Sequence, residues 1–154
     1  MNYLISLPRQ NWRTQISYRI NHAFAIRSRT ELLWYDKNGK NAETGFLTFF
    51  DVIYQPPLKN YSGNMRLQYF ETDDYNSRIY AYENDVLFYY SIPPFYDHGF
   101  RYYLNINYEL TSSISFWLKW SQTLHKDAES IGSGLDEIPG SKKSEIRVMA
   151  RVVF

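Results

Sequence analysis

Apolar and polar residues alternate with a period of two along most of this chain, and helical periodicity is hard to find. Trp12, Thr14, Ile16, Tyr18 and Ile20 share one side, with Arg13, Gln15, Ser17 and Arg19 between them. After Asn21-His22-Ala23, the residues Phe24, Ile26, Ser28, Thr30, Leu32 and Trp34 alternate with Arg27, Arg29 and Glu31. Phe46, Thr48, Phe50, Val52 and Tyr54 form the next such face, with Asp51 opposite, and Met65, Leu67 and Tyr69 alternate with Asn64, Arg66 and Gln68. The pattern is cleanest late in the chain. Phe100 to Leu110, Ile114 to Trp120 and Ile146 to Phe154 each keep apolar residues in every second place, against Arg101, Glu109, Lys119, Glu145, Arg147 and Arg151. The spacing predicts an all-β, antiparallel meander of about ten strands, joined by links rich in Asn, Asp, Gly, Pro and Ser.

One face of these strands is nearly free of charge. The other carries Arg13, Arg19, Arg27, Arg29, Arg66, Arg78, Arg101, Lys119, Arg147 and Arg151 against Glu31, Asp51, Glu109 and Glu145. A soluble barrel turns its apolar face inward, whereas a transmembrane barrel turns it toward lipid and its charges toward the lumen. Alternation alone does not separate the two. Three features favour the transmembrane-type β-barrel. Strand ends on the uncharged face are repeatedly aromatic, at Trp12, Phe24, Trp34, Tyr54, Phe100, Tyr108, Trp120 and Phe154, as in the girdles of outer-membrane barrels. Longer and shorter links tend to alternate, Asn84-Asp85 being read as a tight turn between two strands. The chain also stops on Phe154, after an alternating run. On this reading Trp12, Trp34, Phe100, Leu104, Leu118, Trp120, Val148 and Phe154 face lipid, and the fourteen charged residues above line the lumen.

Composition fits an interface between apolar and polar surroundings. The 154 residues include 15 Tyr, 10 Phe and 4 Trp, yet mean hydropathy is negative. Lys+Arg 17 against Asp+Glu 16 gives a net charge of +1, so the sum points to neither a nucleic-acid domain nor an acidic tail. With no cysteine, disulfide scaffolds and thiolate chemistry are excluded. No apolar run approaches the ~18–20 residues of a spanning helix. Met1-Asn2-Tyr3-Leu4-Ile5-Ser6-Leu7-Pro8 has no export-signal pattern, so a membrane reading places any signal upstream.

Three stretches carry a resemblance. They are Ser77-Arg78-Ile79-Tyr80-Ala81-Tyr82-Glu83-Asn84-Asp85-Val86-Leu87-Phe88; Ser91-Ile92-Pro93 with Gly99-Phe100-Arg101-Tyr102-Tyr103-Leu104; and Ile131-Gly132-Ser133-Gly134-Leu135-Asp136-Glu137-Ile138 with Lys143-Ser144-Glu145. Over roughly residues 44–154 the chain resembles the C-terminal barrel of Bacteroidota outer-membrane proteins of the helix-hairpin-helix domain-containing kind. That resemblance implies a bacterial outer-membrane location, contact with outer-membrane lipid, and recognition by the barrel-assembly machinery through a last strand ending in an aromatic. Any DNA partner would act through upstream domains, because no residues here correspond to a helix-hairpin-helix. The chain would then be a C-terminal fragment.

Candidate chemistry is sparse. Histidine occurs only at His22, His98 and His125. Asp97-His98 and Asp73-Asp74 could share a rim, but adjacent residues point apart on a strand, and solvated links explain them better. Asp127, Glu129, Asp136 and Glu137, with Gly132 and Gly134, do not follow the calcium-loop spacing and read as a hydrophilic surface loop. No catalytic, cofactor or metal residue is expected. The basic excess is the most informative feature: ten against four must be balanced by water or anions, or by acids on strands outside this fragment. The expected role is a membrane anchor or a passive channel with a basic lumen. Rival readings are a soluble calycin-like barrel around an apolar ligand and an outer-membrane hydrolase. Arginine at Leu104 or Leu118 should disrupt assembly, whereas changes at Asn105 or Ser121 should be tolerated. Met1 to Leu7 is too short for a closing strand, so the sheet should remain open between residues 2–7 and 145–153.

Overall fold

Every second side chain of the long strands belongs to one face, so each alternating run in the sequence becomes a two-faced strand. The computed structural model describes residues 8–126, 128–132 and 134–154. In chain order the strands are β1 (Arg9–Arg19), β2 (Phe24–Tyr35), β3 (Glu43–Tyr54), β4 (Tyr61–Thr72), the short β5 (Ile79–Tyr80) and β6 (Pro94–Phe95), β7 (His98–Glu109), β8 (Ile114–His125), the short β9 (Ser130–Ile131) and β10 (Ile138–Pro139), and β11 (Lys142–Val152). The long strands form one antiparallel sheet in the order β1-β2-β3-β4-β7-β8-β11. It is a meander. The chain is therefore all-β and antiparallel, with seven strands in its sheet rather than about ten.

The difference lies in residues 73–97. The alternation of links placed two strands there with a tight turn at Asn84-Asp85. Instead the segment opens with a 3-10 turn, Tyr75–Ser77, whose Asp74 side chain accepts a hydrogen bond from the Tyr75 N–H. It then runs across one face of the sheet, contributing only β5 and β6, which pair with each other. With the false hairpin removed, the links sort cleanly by side. Residues 20–23, 55–60 and 110–113 connect strands at one end, and the longer 36–42, 73–97 and 126–141 at the other.

The two faces differ in kind. On the open face lie Phe24, Ile26, Leu32 and Trp34 of β2, Phe46, Phe50, Val52 and Tyr54 of β3, and Phe100, Leu104, Ile106 and Tyr108 of β7. Many of these are exposed, and Phe100, like Leu67 of β4 on the same face, is exposed by more than half. Phe24 contacts Tyr54 (ring centroids 4.6 Å), and Tyr54 contacts Tyr61 (5.8 Å), at the short-link end. Phe46, Tyr69 and Phe100 form a second row at the long-link end, at 6.1 and 5.0 Å. The opposite face is covered by residues 73–97. Beneath that cover Leu33, Leu47, Phe49 and Phe70 of the sheet pack with Ile79, Ala81 and Phe95 of the segment. Burial of the Ile79 and Phe95 side chains stabilises the docked segment by about 1.5–3 kcal/mol each.

Close docking needs a glycine on β3. A Cβ at Gly45 would stand 2.4 Å from the Ser77 carbonyl oxygen, which belongs to the 3-10 turn. Gly45→Ala must push that backbone away, and overpacking of this sort costs about 1–3 kcal/mol. Chemical denaturation of the variant in detergent micelles is expected to show that loss.

Candidate functional site

The covered face holds the only concentration of buried charge among the described residues. Strand register sets its layout. Asp51 of β3 faces Arg66 of β4, which faces Tyr103 of β7, then Ser121 of β8 and Glu145 of β11. The Arg66 Nε and Nη2 donate to the Asp51 carboxylate at 2.6 and 2.8 Å, a bidentate pair with both side chains essentially inaccessible. Its remaining Nη1 donates to the Tyr82 carbonyl of the covering segment at 2.7 Å. The guanidinium also lies 3.6 Å over the Phe49 ring.

The covering segment supplies acids of its own. Glu83 is fully buried and accepts from Arg101 Nε and Nη2 at 2.6 and 2.9 Å and from Lys119 Nζ at 3.0 Å. Asp85 accepts from Lys119 Nζ at 2.8 Å and from Arg147. Burial alone would favour the neutral acid at Glu83. The hydrogen bonds and charges of Arg101 and Lys119 outweigh it, holding the carboxyl below the usual carboxylate range. Backbone contacts complete the seat: Asn105 Nδ2 donates to the Asp85 carbonyl at 3.0 Å, and Arg29 donates to that of Tyr80. The Asn84 N–H donates to the Tyr103 hydroxyl at 3.3 Å. These bonds tie residues 80–85 to β2, β4, β7, β8 and β11.

This geometry corrects the expected charge imbalance. Arg29, Arg66, Arg101, Lys119 and Arg147 meet Glu31, Asp51, Glu83, Asp85 and Glu145. The missing acids come from the segment read as a hairpin. Arg13 pairs with Glu31 at 2.9 Å from the exposed β1. Arg27 lies on the covered face without an ion pair among the described residues. Arg19, Glu109 and Arg151 lie on exposed strand ends. Arg78, expected on a strand, instead follows the 3-10 turn and stacks 4.2 Å over Tyr75. Asn105 and Ser121, expected to tolerate substitution, are both buried, Ser121 accepting from Arg101. Ser121 thus serves the ion cluster, and Asn105 holds the backbone of the covering segment at Asp85.

The apolar residues expected to face lipid, Trp12, Trp34, Phe100, Leu104, Leu118, Trp120 and Val148, all lie on the open face. Phe154 is fully exposed beyond the end of β11. The expected gap at residues 2–7 lies outside the described residues; among those described, β1 and β11 do not pair.

Residues weighed for catalysis do not converge. His98 pairs with Glu71 at 2.8 Å rather than with Asp97, and both partners are about half exposed. His22 sits in the exposed link 20–23, and His125 packs its ring edge-on against Phe70. No group of three potential metal ligands occurs among the described residues. Asp127 lies outside them, and Glu129 and Glu137 are exposed. An open cavity of about 220 Å³ lies between Pro93–Tyr96 and the Lys143, Glu145 and Arg147 side chains of β11. No family, curated protein or solved structure matches this chain.

Proposed function

We propose that this chain is part of the wall of a bacterial outer-membrane β-barrel, serving as an anchor whose interior face is plugged by residues 73–97. The observation that carries the reading is the reversed polarity of the sheet. Bidentate ion pairs lie buried on one face, and an aromatic and aliphatic surface lies open on the other, its strands carrying acidic or basic side chains only at the long-link rim, at Glu71, His98 and Lys142. A water-soluble domain rarely exposes so large an apolar surface. The aromatic rows fit the same reading. Phe100 to Tyr108 spans roughly 27 Å along the strand at about 3.4 Å per residue. At the ~35–45° tilt of such barrels that is about 20 Å of height, near the ~25 Å of an outer-membrane apolar band. The resemblance to Bacteroidota outer-membrane barrels points the same way and would make β11 the element read by the assembly machinery.

The plug favours an anchor over a channel, because the charges that could select a permeant ion are paired with Glu83 and Asp85. A calycin-like reading fits less well: the covered face would have to offer an apolar cavity, and it offers ion pairs. The test is flotation with lipid vesicles after dilution from urea. The chain is expected to float and to resist alkaline carbonate. A monodisperse, folded monomer in buffer free of lipid and detergent would overturn the reading.

A further inference from the structure

An antiparallel meander of seven strands has first and last strands that run in the same direction. Here β1 and β11 both run from the long-link end toward the short-link end, and among the described residues each pairs with a strand on one side only. Closing β11 onto β1 would make a parallel seam. A row of unpaired backbone groups at the level of an apolar band is costly, so each edge needs a partner. Direction then fixes parity: an all-antiparallel closure takes an odd number of further strands.

Charge says what those strands carry. Strands β2, β3, β4, β7 and β8 hold Arg27, Arg29, Arg66, Arg101 and Lys119 against Glu31, Glu43, Asp51, Glu71 and Glu109. The interior strands are balanced. The edges are not: β1 has Arg9, Arg13 and Arg19 with no acid, and β11 has Lys142, Lys143, Arg147 and Arg151 against Glu145. Among the described residues neither Arg19 nor Arg151 makes an ion pair. Both point to the covered side, where residues 73–97 also leave exposed rings at Tyr82, Phe88 and Tyr90.

We propose that β1 and β11 are docking edges for an odd number of further antiparallel strands, contributed by polypeptide outside residues 9–152, with acidic side chains facing Arg19 and Arg151. A second copy does not meet these demands. In the same membrane orientation its β1 would meet β11 in parallel, basic edge against basic edge. Antiparallel pairing of like edges would require the copy to be turned over. Added strands would also enclose the exposed rings of the plug.

The proposal rests on the membrane reading, so its test is run in detergent micelles, where the edges report whether or not the chain enters a bilayer. Flotation judges that reading separately. The chain has no cysteine, so Gln15→Cys and Met149→Cys, alone and together, mark the two edges on the same, covered side of the sheet. Short bis-methanethiosulfonate cross-linkers, which form a disulfide to each thiol by displacing methanesulfinate, are expected to give neither an internal link in the double variant nor a covalent dimer from either single one. Amide exchange should be fast along the outer edges of β1 and β11 and slow in β3, β4 and β7. A synthetic eleven-residue peptide of alternating Glu and Val should slow exchange at an edge by about tenfold or more, whereas its Lys-for-Glu counterpart should not. An internal link would show self-closure, a dimer would show closure by a second copy, and equal or absent protection by the two peptides would remove the acidic partner; each overturns the proposal. Slow exchange in β3, β4 and β7 shows that each variant has kept its fold.

Discussion

Arginine at Leu104 or Leu118 is expected to stop assembly into lipid or to cost about 2–4 kcal/mol, the range for a guanidinium near the bilayer midplane of a barrel. Leu104 lies midway between the aromatic residues Phe100 and Tyr108 on β7, opposite Trp120 on β8. Leu118 faces Ile106 one step along the same ladder. Both are about two-fifths exposed on the open face, so an arginine there meets no folding obstacle in water. That contrast makes the variants informative. In a soluble protein such a change lies within about 0.5 kcal/mol of neutral; in a lipid-facing band it is severe. Leu135→Arg is the control, since Leu135 is fully exposed in the 126–141 link, away from the strands. Folding into vesicles, followed by urea titration, gives the three values. Equal tolerance at Leu104, Leu118 and Leu135 would reject a lipid-facing open face.

Much of this sheet was legible because pleated strands convert sequence parity directly into sidedness. The runs from Phe24, Phe46, Phe100 and Ile114 were each read in the right register, since a one-residue slip would exchange the faces. Strand ends were less legible: β1 begins at Arg9 rather than Trp12, β4 extends to Tyr61–Thr72, and β11 ends at Val152 before Phe154. Residues 77–88 misled for a physical reason. An extended segment lying on a sheet also buries every second residue, and Ile79, Ala81 and Glu83 are buried while Tyr80 and Tyr82 are exposed. Its period is therefore that of a strand, although its hydrogen bonds run largely to side chains of the sheet beneath. The excess of basic residues was the available signal. Glu83 and Asp85 belonged to neither face of the alternating runs, and balancing the charged face required acids from somewhere. Partner geometry, such as Lys119 bridging Glu83 and Asp85, depends on how the link folds back, and local periodicity does not encode that.

Glu83→Gln is expected to release the plug. The substitution leaves Arg101 and Lys119 buried with one carboxylate fewer, and breaking a buried pair from one side costs about 3–5 kcal/mol because a charge is left uncompensated. Lys119 retains Asp85, and Arg101 retains Thr123 at 2.8 Å and Glu145 at 3.5 Å. The loss should therefore fall toward the lower end of that range. Adding Lys119→Met removes one stranded charge, so the double variant should recover part of the loss, with a coupling energy of about 0.5–3 kcal/mol. Proteolysis within residues 86–92 reads the plug directly, and urea unfolding in micelles reads the sheet. Acid should act like the mutation. Glu83 has a carboxyl held below its ordinary value of 4.5, so its contribution is fully present above that pH and is lost as the pH falls through the folded-state value. Near-ultraviolet circular dichroism of the wild-type chain should therefore lose part of its tyrosine signal below pH 4.5, and Glu83→Gln should lose that part at neutral pH. If Glu83→Gln keeps both its dichroism and its protease resistance, the ion cluster does not hold residues 73–97 against the sheet.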